Sequence, residues 1–106
     1  MTLQRRNQSI TNPYQRSRVM TASPEQLILY VYDAAVNALQ RQDRIRSLEA
    51  VNLLVSSLRY EHRDLAMSFY RLYDSVQRQI MRGNYGLAQT ILREMRETWR
   101  ESMELN

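Results

Sequence analysis

Cysteine and lysine are absent from this 106-residue chain, glycine and proline occur twice each, and histidine occurs once. Each absence excludes something. Without cysteine there are no disulfides and no thiolate metal sites, and the chain suits a reducing compartment. Two glycines and two prolines leave little turn chemistry, which favours helices over a strand-rich fold. One histidine without cysteine leaves little for a nucleophile–base pair or a metal site, and no glycine-rich phosphate loop is present. Bundle di-iron sites need Glu-x-x-His, but the residue three before His62 is Arg59. No apolar run approaches the roughly 20 residues of a membrane span, and residues 1–22 lack the apolar core of a signal peptide. We expect a soluble cytoplasmic protein, not an enzyme, with no cofactor, no metal and no membrane insertion.

The positive charge is all arginine: 15 Arg face 11 acids, for a net charge of +4. Arg5, Arg6, Arg16 and Arg18 lie in residues 1–22, which contain no acid, so the rest of the chain is neutral. A basic, Gln/Asn/Ser-rich arm is ordinarily a solvated tail; an acidic surface or nucleic acid is the other possibility. The neutral remainder carries no nucleic-acid-binding motif, so nucleic acid is not the expected partner.

With 43% hydrophobic residues the chain supports one packed domain. We divide it into a basic, partly ordered arm, 1–22, and a helical domain, 23–106. Ser23, Pro24 and Gln26 form a capping box that starts a first helix running to about Arg41. Asp43 is the expected cap of a second helix reaching about Tyr60. Asp64 is the expected cap of a third, which stops at Gly83-Asn84. A fourth runs from Tyr85 to about Met103. The apolar seams are Leu48, Val51, Val55 and Leu58; then Leu65, Phe69, Leu72, Val76 and Ile80; then Ala88, Ile91, Leu92, Met95, Trp99 and Met103. Four amphipathic helices with short links predict an all-α, antiparallel up-and-down four-helix bundle with an N-terminal arm.

The first helix carries more apolar surface than one seam needs. Leu27, Val31, Ala34 and Ala38 form one stripe, and Ile28, Tyr32, Ala35 and Leu39 form another. Leu29 and Val36 lie beyond both. A helix apolar almost all round must be covered almost all round. Three neighbouring helices, the arm, a second copy or a partner are the available covers. Between Pro24 and Gly83 there is no glycine or proline, and the seam from Leu48 to Val76 keeps one phase through His62. Fusion of the second and third helices would give a swapped dimer. The polar run Glu61-His62-Arg63-Asp64 favours a link and a monomer.

Asn12-Pro13-Tyr14, Thr21-Ala22-Ser23-Pro24-Glu25-Gln26-Leu27 and Tyr32-Asp33 are followed by Leu72-Tyr73-Asp74 with Arg78. The closing segment is Leu92-Arg93-Glu94-Met95-Arg96-Glu97-Thr98-Trp99. In this order, over residues 12–103, they resemble the FliS family of flagellin export chaperones. Val31 stands where the family has Leu, Ala34 where it has Gly, and the hairpin of the first two helices is shorter. The resemblance implies a chaperone that binds the C-terminal segment of flagellin, blocks premature polymerisation and delivers the client to the flagellar export gate. It implies client contacts at Leu29, Tyr32, Val36 and Tyr73, with Asp33 near the groove and Tyr14 as the arm contact. The alternative is a FliS-like paralogue that binds another protein, or a self-associating structural or regulatory module.

Overall fold

The computed structural model of the chain describes residues 22–59 and 63–104. Four helices make up most of it: α1 (Pro24–Gln40), α2 (Arg44–Ser56), α3 (Arg63–Met81) and α4 (Tyr85–Glu104). No strand occurs among the described residues. The helices alternate in direction. α1 packs against α2 and α4, and α3 packs against the same two, so the arrangement is an up-and-down ring with α1 and α3 on one diagonal.

Local chemistry places the helix ends. The Ser23 hydroxyl accepts from the Gln26 N–H while the Gln26 side chain accepts from the Ser23 N–H, the reciprocal pair expected of a capping box. Asp43 caps α2 by accepting from the Arg46 N–H at 3.1 Å. The two tight links share one geometry. After α3, Gly83 turns left-handed (φ 80°), its N–H donates to the Ile80 carbonyl, and the Asn84 N–H donates to Gln79. After α1, Gln42 takes the same role at φ 57°, donating to Leu39 while Asp43 donates to Ala38. These bond pairs satisfy the last carbonyls of each helix. Asp43 and Asn84 thus end one helix and begin the next.

Two boundaries differ from expectation. α2 stops at Ser56 rather than Tyr60, and the Ser57 hydroxyl donates to the Leu54 carbonyl at 2.7 Å. α3 begins at Arg63, so Asp64 lies in its first turn and is not its cap. Residues 57–59 leave the helix, so α2 and α3 are separate elements. Glu61 and His62 lie outside the described residues.

The core holds Tyr32, Ala35, Val36 and Leu39 of α1, Ala50, Val51 and Leu54 of α2, Tyr73, Val76 and Ile80 of α3, and Ala88, Leu92 and Met95 of α4. Ser47 is also buried, its hydroxyl bonded to the Asp43 carbonyl at 2.6 Å. The α3 seam differs from the expected one. Leu65 and Leu72 are 57% and 41% exposed, and Ala66 and Tyr73 turn inward in their place. α3 is therefore rotated so that Tyr73 reaches the centre of the bundle.

Candidate functional site

The surplus apolar surface of α1 is largely used inside the bundle. α2 covers one flank and α4 the other. Val36 is only 4% exposed, and its carbonyl accepts from Gln89 Nε2 at 3.1 Å. The same Gln89 amide reaches Gln40 at 2.9 Å. Further along, Arg96 pairs with Asp33 at 3.0 Å, and the Trp99 indole N–H donates to the Glu25 carbonyl at 3.0 Å. These bonds run the length of the α1–α4 contact and hold the two helices antiparallel.

Of the residues expected to touch a client, Tyr32, Val36 and Tyr73 are buried in the core. Tyr32 and Val36 face neighbouring helices, because α1 lies between two partners, whereas Tyr73 of α3 is a core residue that also lines the cleft described below. Leu29 is half-buried, and Asp33 is half-buried and paired with Arg96 of α4. Tyr14 lies outside the described residues.

The buried tyrosines meet across the ring. Their hydroxyls are 2.7 Å apart and their rings 6.5 Å apart, and Phe69 packs 6.3 Å from Tyr73. Burial pushes the Tyr32 hydroxyl far above its ordinary value of 10.0, with smaller upward contributions from the charge and hydrogen bond of Tyr73. Burial also raises Tyr73, opposed in part by the hydrogen bond from Tyr32. Both stay neutral, so the pair holds the bundle together and offers no acid or base near neutral pH.

A concave feature lies at one end of the described bundle. α2 has 13 residues against 17 to 20 in the other helices. At about 1.5 Å per residue it falls roughly 6–10 Å short of its neighbours. Beyond its C-terminus opens a cleft of ≈ 350 Å³. Ile28, Leu58, Leu65, Phe69 and Trp99 form its apolar lining, and the Tyr73 side of the core forms its floor. Glu25 and Arg59 stand at its rim with opposite charges. The volume is about twice that of an apolar cavity that admits benzene. It lies at the small end of ligand pockets, suited to a few apolar side chains.

The polar members of the lining are Glu25, Ser57, Arg59 and Tyr73. Among the described residues no three His, Asp or Glu side chains gather as metal ligands. No described helix is long and apolar enough to cross a membrane. The cleft was missed from the sequence because it depends on where α2 stops. The Ser56-Ser57 pair was the available signal, since serine hydroxyls compete for the last helical carbonyls.

No protein-family model, no curated protein and no solved structure matches the chain.

Proposed function

We propose that this bundle is a non-enzymatic, FliS-like chaperone that holds an apolar segment of a client protein in the cleft beyond α2. The client named by the sequence resemblance is the C-terminal segment of flagellin, kept from polymerising in the cytoplasm and passed to the flagellar export gate. The observation that carries the reading is the concave apolar cleft at the end of the bundle, where Ile28, Leu58, Leu65, Phe69 and Trp99 gather. Its lining is hydrocarbon and aromatic, the surface that an amphipathic helix anchors into. Leu65 and Phe69 of α3, Ile28 of α1 and Trp99 of α4 are the contacts in this reading. Leu29 and Asp33 are peripheral to it.

Calorimetric titration with the flagellin C-terminal peptide tests the proposal. Binding is expected with a negative heat-capacity change and little salt dependence. Affinity is expected to be modest for the area buried, because the peptide orders as it binds. Leu65→Asp, at an exposed position on the rim, is expected to abolish binding while circular dichroism stays helical. A wild-type protein that gives neither heat nor a complex at micromolar concentrations would sink the chaperone reading.

A self-associating module is the second reading, favoured by the exposed Leu53 on the outside of α2. Light scattering separates the two. A stable dimer dispersed by Leu53→Glu, with no peptide binding, supports self-association.

A further inference from the structure

The end of the bundle opposite the cleft combines free positive charge with exposed apolar side chains. It consists of the last turns of α1 and α3, the first turns of α2 and α4, and their two tight links. Residues 40–47 and 79–88 hold Arg41, Arg44, Arg46 and Arg82 against a single acid, Asp43. The Asp43 carboxylate is engaged as the cap of α2. All four arginines are exposed, and Arg44 leans its Nε on the Tyr85 hydroxyl at 3.3 Å, which draws α2 and α4 together at this end. Ile45, Met81 and Leu87 stand among them, 70%, 57% and 50% exposed. At the cleft end, residues 22–27, 56–59, 63–66 and 100–102 hold Arg59, Arg63 and Arg100 against Glu25, Asp64 and Glu101. Among the described residues the charge is therefore uneven along the bundle, three to the positive at one end and balanced at the other.

We propose that the loop-closed end docks on an anionic phospholipid surface, with the arginines at headgroup level and Ile45, Met81 and Leu87 entering the interface. Charge complementarity selects an anionic partner. The apolar side chains select a bilayer over an acidic protein. Ile45, Met81 and Leu87 are exposed among the arginines, and a membrane interface takes apolar side chains below the headgroups while cations stay at headgroup level. Docked in this way, the bundle lies on the membrane without crossing it, and its cleft faces away. The proposal does not rest on the identity of any client.

Flotation of the full-length protein with vesicles of phosphatidylcholine containing one-third phosphatidylglycerol tests it, with pure phosphatidylcholine as control. Binding is expected to the anionic vesicles alone and to fall steeply with salt. Each charge near such a surface changes partitioning by about fivefold. Arg41→Glu with Arg82→Glu, four charge units in all, is expected to weaken binding at least about 100-fold. Ile45→Ser with Met81→Ser is expected to weaken it while leaving the salt dependence unchanged. Arg5→Gln, Arg6→Gln, Arg16→Gln and Arg18→Gln together are expected to leave most of the binding in place. Circular dichroism checks that each variant folds, and Arg41→Gln with Arg82→Gln replaces the reversal if that variant does not. Absent vesicle binding overturns the proposal, as does equal binding to both lipids. Binding lost with the arm arginines and kept in the tip variants assigns the contact to the arm and overturns it too. Salt-sensitive capture by polyglutamate without vesicle binding makes the partner an acidic macromolecule, which overturns the membrane.

Discussion

The Tyr32 and Tyr73 hydroxyls meet 2.7 Å apart at the centre of the bundle, joining the two helices that do not otherwise pack side by side. Removing one hydroxyl leaves the other buried without its partner. Tyr73→Phe is expected to cost about 1–3 kcal/mol in urea denaturation, and Tyr32→Phe a similar amount. The double variant is expected to lose much less than the sum, because two phenylalanines leave no buried polar group behind. Additive losses would show that the hydroxyls do not act as a pair.

The same pair sets an alkaline limit on stability. Both folded-state values are raised above the unfolded 10.0. Below pH 10 both states keep their protons and the contribution is constant. Above it the unfolded chain releases protons that the folded chain retains, so stability falls as pH rises. The melting temperature is expected to hold below about pH 10 and drop above it. The Tyr32→Phe/Tyr73→Phe variant is expected to lose much of that drop. An equal alkaline drop in both proteins would place its cause elsewhere.

Gln42 holds a left-handed backbone where glycine has no steric cost. Gln42→Gly is expected to stabilise the fold by about 0.5–1 kcal/mol, the strain relieved being partly offset by the extra freedom of the unfolded chain. Gly83→Ala, in the equivalent link, is expected to destabilise by about 1 kcal/mol through the backbone alone, since an added Cβ there meets nothing within 4 Å. Thermal melts of the two variants should shift in opposite directions. Shifts of the same sign would refute the equivalence of the links.

Arg96 is bonded to Asp33 through Nη1, while its buried Nε has no partner. Asp33 is 45% exposed, so the ion pair is screened by solvent. Arg96→Met keeps most of the packed stem and removes the unpaired donor. Its stability is expected to lie within about 0.5 kcal/mol of the parent. A loss of several kcal/mol would mean that the ion pair clamps α1 to α4.

Helix existence and most boundaries were legible in residues 22–104 because the signals are local. Ser23-Pro24-Gln26, Asp43 and Gly83-Asn84 act through hydrogen bonds to backbone within a few positions, and no distant residue is needed to read them. The α4 seam was likewise read correctly at Ala88, Leu92 and Met95, where the apolar stripe is narrow and admits one rotation. The α3 seam was not. Leu65 and Leu72 fit the spacing as well as Ala66 and Tyr73, and only the hydroxyl partner on α1 decides between them.

By itself, then, the sequence determined four amphipathic helices, where most of them begin and end, and a placement of the net positive charge in residues 1–22 ahead of a neutral remainder. The tertiary structure decided what the surplus apolar face of α1 is for. α2 and α4 both lie against α1, so Val36 is core and the face is mostly spent within the chain. It also decided where apolar surface remains open. α2 stops at Ser56 while its neighbours run on, and the cleft over Tyr73 and Trp99 is the space it leaves. Periodicity fixes which residues of one helix share a face, but which face a neighbour covers depends on contacts between residues dozens of positions apart.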